Sequence, residues 1–175
     1  MTETSIEKQF WRYWLFGLLL FAAMIALNPT LSTSVSSMGI SDHQTAGSAA
    51  KIDAIQRAWD AADVLLIARA SMMIDLLFIG VYSWGAWNGG KFMRNDASPN
   101  VRRIGGLVMG ASLVFLVTDY TETICQFIQL MQFKGSDVLA NVAATVQPVK
   151  SLAWIVTFVG LLAALLLRRM AHRSA

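Results

Sequence analysis

Apolar residues in this chain do not recur at a period. They fill long stretches almost without interruption, and short polar stretches separate them. Four such runs, residues 10–27, 61–87, 104–131 and 149–167, reach or approach the roughly 20 helical residues needed to cross about 30 Å of hydrocarbon. None shows the strict alternation of lipid-facing and lumen-facing positions that a transmembrane strand carries. Within lipid a helix satisfies its own backbone, so the pattern predicts an all-α integral membrane four-helix bundle, read as a single transmembrane domain over 1–175. No internal repeat is evident.

The separating stretches predict the connections. Residues 28–60 form an external connection in two parts. Asn28 to Ala50 is rich in Ser, Thr, Gly and Ala, follows no period, and is predicted to be mobile. From Lys51 onward Ile52, Ile55, Trp59 and Ala62 share one helical face, with Lys51, Asp53, Arg57 and Asp60 largely opposite and Asp53 four residues ahead of Arg57. This amphipathic lead-in is expected to run directly into the second helix, as an interfacial anchor or as a lid over an external cavity. Gly89, Gly90 and Pro99 break the chain between the second and third runs. Pro148 closes the last external connection and suits the first turn of the fourth helix. Gly106 and Gly110 form a small-xxx-small pair, which serves either dimerisation or packing within the bundle.

Within the third run the polar residues do keep a period. Ser112, Asp119, Glu122, Gln126 and Gln129 fall on one stripe, backed by Leu113, Val114, Leu116, Val117, Ile124, Phe127 and Ile128. An ionised carboxylate near the bilayer centre costs at least roughly 2.5–3.5 kcal/mol, so the stripe is expected to face protein or a wet cavity. Counting about 1.5 Å per residue along each helix brings Arg69 to the depth of Asp119 and Glu122, in the outer half. Lys150, at the start of the fourth helix, can bend its long stem inward. The candidate ligand-binding cluster is therefore Arg69, Asp75, Asp119, Glu122, Gln126 and Lys150, with Asp75 nearer the middle. A second mixed stripe runs through Ser71, Asp75, Phe78 and Tyr82.

Composition and charge then fix the class. With 55% hydrophobic and only 14% charged residues, the chain has too much apolar surface for one soluble core. Lys8, Arg12, Lys91, Arg94, Arg102, Arg103, Arg168, Arg169 and Arg173 flank one side, against Lys51, Arg57, Lys134 and Lys150 on the other. This bias predicts a multi-pass protein of the inner (plasma) membrane with both termini cytoplasmic. Trp11, Tyr13, Trp14, Trp84 and Trp87 read as interfacial belts. The net charge of +3 is this bias and not a nucleic-acid footprint. A rival reading makes residues 8–27 a cleaved signal peptide, but "FWRYW" fits a permanent anchor better.

The chemistry available is limited. Cys125 is the single cysteine and lies in a span. The two histidines, His43 and His172, both lie outside the spans, which argues against haem or a histidine-rich metal site within the bilayer. No cofactor, metal site or catalytic residue is assigned. The reading that follows is an integral membrane protein binding a small polar or lipid-like ligand in an outer-half cavity, with membrane lipid as its surroundings. The alternative is a non-catalytic accessory or structural subunit of a larger membrane complex or homo-oligomer. An intramembrane enzyme ranks third, because two adjacent carboxylates without an activated nucleophile are a weak catalytic signal.

The segments "SMMIDLLFIGVYSWG", "TDYTETICQF" and "VKSLAWIV" resemble a group of small uncharacterised bacterial four-span membrane proteins. In that group a helix carrying Asp, Phe and Tyr at similar spacing precedes one with a D-x-x-E pair, often followed by Asn where this chain has Thr123. The resemblance covers the last three spans and implies architecture, with no activity attached.

Overall fold

The computed structural model describes residues 3–173 and is helical throughout. Its helices are α1 (Glu3–Leu27), α2 (Ile40–Gln44), α3 (Ala49–Ala61), α4 (Leu65–Arg94), α5 (Pro99–Gln132) and α6 (Asp137–Arg173), with a 3-10 turn at Asn28–Leu31. Helices α1, α4, α5 and α6 are long and apolar enough to cross a membrane, which makes this a multi-pass membrane protein. The side chains of His172 and Arg173 lie outside the described residues.

Each of the four long helices extends past the apolar run that predicts it at one end at least, and two boundaries differ in kind. The lead-in does not continue into the second span. Helix α3 stops where Asp63 takes a left-handed conformation (φ 58°) and Val64 N–H reaches back to Trp59 O at 2.9 Å. Such a turn satisfies the last carbonyls of the helix, and Asp tolerates it better than most residues. Nor does Pro148 begin a helix. It lies inside α6, which starts eleven residues earlier at Asp137 because Ser136 caps it, accepting from Leu139 N–H through Oγ and from Ala140 N–H through its carbonyl. The proline leaves the Ala144 carbonyl without its usual amide donor, a defect worth about 3 kcal/mol that only tertiary packing offsets.

The chain divides into two compact units, and each long helix contributes a stretch to both. The first comprises residues 1–18, 80–117 and 149–175. Aromatic side chains fill it. Phe10 lies between Trp14 and Phe92 (centroids 5.5 and 6.3 Å), Tyr82 meets Phe115 edge-on at 5.5 Å, and Trp154 stacks on Phe158 at 5.1 Å. Trp14 is therefore a core residue and not part of an interfacial belt: Gly85 lets the α1 backbone approach so closely that the indole is 4% exposed. Trp11 and Trp84 remain exposed. At its polar end Asp96 pairs with Arg168 (3.1 Å), whose guanidinium covers the Phe92 ring.

The second unit comprises residues 19–79 and 118–148. Its core joins Leu31, Ile55 and Trp59 from the connection to Ala68 and Met72 of α4 and Leu130 of α5. The stretch predicted to be mobile is thus a folded cap. Asn28 ties it together by accepting from Ile40 N–H (2.9 Å) and donating to Met38 O (3.3 Å), and Gly39 turns beside it at φ 61°. The Trp59 indole N–H donates to Leu31 O (2.8 Å) and Ser36 Oγ (3.1 Å), so the one aromatic side chain of α3 fastens the stretch that precedes it. A second clamp closes the other edge. Asp137 accepts from Ala49 N–H at 2.7 Å, and Asp53 accepts from Gly135 N–H. Gly135 is required there because a Cβ would collide with the Ala49 backbone. Asp53 consequently makes no ion pair with Arg57, which is exposed. A half-buried amide is a better partner for a carboxylate than a surface cation worth about 0–1 kcal/mol.

Candidate functional site

The stripe on α5 is buried along its whole length. Ser112, Asp119, Glu122, Gln126 and Gln129 are each at most 2% exposed, whereas Leu113, Val117 and Ile124 on the opposite side are half-exposed. Periodicity alone produces this split, because 3.6 residues per turn keep positions 3, 4 and 7 apart on one face. Ser112 belongs to the first unit, and the other four to the second.

In the second unit the polar side chains form two linked groups. The first is centred on Thr123, 1% exposed, whose hydroxyl donates to Asp75 Oδ2 at 3.0 Å and lies 3.5 Å from Asp119 Oδ1. A hydroxyl has one proton, so the shorter contact holds it. Asp75 of α4 is thereby joined to Thr123 of α5. Tyr120 adds a second tie between these helices by donating to Leu76 O at 3.2 Å. Ser71 is buried on the same stretch of α4.

The second group carries the polar path into the cap. Gln126 Nε2 donates to Glu122 Oε1 at 3.3 Å, and the Gln126 side chain lies beside the imidazole of His43 in α2. Gln56 of α3 reaches His43 Nε2 at 3.4 Å, and the Trp59 ring stacks on the imidazole at 5.3 Å. His43 and Gln56 are 1% exposed, and Trp59 is fully buried. Burial lowers the His43 pKa from 6.5 to about 4, with Gln126 beside the ring acting weakly in the opposite sense, so the ring is neutral at physiological pH. Two buried atoms of this group, His43 Nδ1 and Gln56 Oε1, have no hydrogen-bond partner. Each such atom costs roughly 1–3 kcal/mol until something satisfies it.

The residues of the expected cluster are distributed as follows. Asp75, Asp119, Glu122 and Gln126 line the second unit as described. Arg69 is half-buried with its Nε buried and partnerless, and it forms no ion pair with Asp119 or Glu122. The Thr123–Asp75 and Tyr120–Leu76 bonds set the register of α4 against α5, and in that register Arg69 lies beyond Asp75 on the side away from Asp119. Lys150 and Tyr82 belong to the first unit, where Lys150 is half-buried and Tyr82 is fully buried against Phe115 and Trp154.

His43, Gln56 and Thr123 are the residues that the sequence reading left out. Gln56 had a signal, since it sits between Ile52 and Trp59 on the apolar face of α3, where a polar residue calls for a partner. His43 had none, because the connection around it has no period. Among the described residues no group of His, Cys, Asp and Glu has a metal-binding arrangement. The site has a linear run of carboxylates, amides and one neutral imidazole, suited to hydrogen-bonding a polar molecule. No protein-family model, curated protein or solved structure matches the chain.

Proposed function

We propose that this four-span protein of the inner membrane binds a small polar molecule, or the polar end of a lipid-like one, along the Glu122–Gln126–His43–Gln56 run of its second unit. The observation that carries the reading is the pair of partnerless atoms, His43 Nδ1 and Gln56 Oε1, in side chains that are 1% exposed. A ligand offering both a donor and an acceptor satisfies them together, and the Glu122 and Asp119 carboxylates favour one that also carries hydroxyl or ammonium groups. The cation bias supports cytoplasmic termini, which puts the cap on the external side and makes the ligand an external or outer-leaflet molecule. Organic extraction and mass spectrometry of the purified protein test this. Glu122→Gln and Asp119→Asn keep shape and remove charge, so folded variants are expected to lose the molecule that the wild type retains. A wild type that carries no molecule, or full retention in both variants, overturns the proposal.

A second reading, a subunit of a larger assembly or a homo-oligomer, draws on Gly106 and Gly110. Both are exposed, with no atom within 4 Å of an added Cβ, so this pair is not used in packing within the chain. Small-xxx-small faces permit close approach of another helix. Gly110→Leu is expected to abolish self-association in a membrane two-hybrid assay if that face is used, and unchanged association rejects it.

A further inference from the structure

Where α4 ends, the first unit has a cavity of about 370 Å3 whose wall combines basic and amide side chains with a larger apolar surface. It is lined by Ile6, Asn88, Lys91, Arg94, Asn95 and Met109. Asn88, Lys91 and Asn95 are spaced by three and four residues, so they follow one face of α4 and its end, with Arg94 beside them. Beside it Gly90 and Gly105 bring α4 and α5 into direct contact, each glycine with the other's carbonyl 2.7 Å from where a Cβ would stand, which holds Met109 of α5 against the end of α4.

Among the described residues no carboxylate lines it, and Asp96, next to Asn95 in the sequence, is already engaged by Arg168 at 3.1 Å and by Ser98 N–H at 2.9 Å. Lys91 Nζ lies 5.7 Å from the Trp87 ring centroid, a contact that positions the ammonium without neutralising it. Arg94 has no ion-pair partner among the described residues, and both cations are exposed. The helix C-terminus accounts for basic residues in its last turn. It does not account for a cavity between them with a buried amide, Asn88, in its wall. A cavity of this volume falls in the roughly 300–1,000 Å3 range of small-molecule sites.

We infer that this cavity holds the phosphate of an anionic phospholipid headgroup. Lys91 and Arg94 take the phosphate charge, Asn88 and Asn95 take the hydroxyl or ester oxygens, and Ile6 and Met109 meet the first methylenes. Basic pockets between transmembrane helices are suited to such headgroups, and each basic residue near the surface contributes about 1 kcal/mol. Free phosphate shares the chemistry, and the test separates the two.

Native mass spectrometry from micelles doped equally with phosphatidylglycerol and phosphatidylcholine of matched chains reads the preference directly. The wild type is expected to retain phosphatidylglycerol about thirtyfold over phosphatidylcholine, the factor that two such cations supply. The Lys91→Gln/Arg94→Gln double variant is expected to lose that preference, and Lys51→Gln/Arg57→Gln, which removes exposed cations from the second unit, to keep it. Equal loss in both double variants means diffuse attraction and overturns the site. Should the first double variant fail to fold, Met109→Trp fills the cavity with its charges intact and is expected to eject the lipid, while retention there overturns the inference. Displacement of the lipid by millimolar inorganic phosphate assigns the cavity to a free anion and overturns the lipid assignment.

Discussion

Acidification should open the cap, and His43 sets how far. The imidazole has an ordinary pKa of 6.5 and is lowered to about 4 in the folded cap, chiefly by burial. A base with a depressed folded pKa binds its proton more tightly when exposed, so the opened cap gains protons first as pH falls. Stability is therefore complete above pH 6.5, declines as pH falls from 6.5 towards 4, and is fully lost in this component below that. At pH 4.5 the loss amounts to about 2.5 kcal/mol, or roughly a 70-fold rise in the opening constant. Gln56, Gln126 and Trp59 surround the ring, with Glu122 one hydrogen bond further away through Gln126. Hydrogen exchange of α3 amides, corrected for the intrinsic pH dependence of exchange, measures opening at pH 7.5 and 4.5. A His43→Gln variant controls for carboxylates titrating in the same range, because only the slope that it lacks belongs to the imidazole. If wild type and variant show the same change between the two pH values, or the wild type shows none, the burial argument for His43 is wrong.

Two further substitutions test how the second unit is built. Trp59→Phe removes the indole N–H shared by Leu31 O and Ser36 Oγ and some buried volume, so the cap is expected to lose about 2 kcal/mol, seen as faster exchange across residues 28–44 with α4 and α5 unaffected; unchanged exchange refutes the fastening role. Gly135→Ala pushes a methyl into the Ala49 backbone and is expected to cost about 2–3 kcal/mol by parting both clamp bonds, read as protease sensitivity near residues 133–137. Resistance equal to wild type means that the clamp does not hold that edge.

Local periodicity decided what was legible from the residues alone. Four apolar runs become four helices long enough to span a membrane, because in lipid a backbone without internal hydrogen bonds is untenable. The stripe of Asp119, Glu122, Gln126 and Gln129 is legible for the same kind of reason. Its spacing fixes a face, and the exposure of Leu113, Val117 and Ile124 opposite leaves that face inward. Asp75 meets α5 through the hydroxyl of Thr123. Tertiary structure alone decided everything that depends on register between helices, on close approach or on a partner far along the chain. Arg69 makes no ion pair with Asp119 or Glu122, because the register set by the Thr123–Asp75 and Tyr120–Leu76 bonds carries it away from Asp119, and rise per residue counted along one helix does not fix the register against another. Asp53 bonds the amide of Gly135 across 82 residues instead of its helical neighbour Arg57. Pro148 sits inside a helix because packing outweighs a local preference of about 3 kcal/mol. His43 is the extreme case. A polar connection without a period has no local energetic reason to bury a histidine, and it does so only because Trp59, Gln56 and Gln126 reach the ring together from α3 and α5.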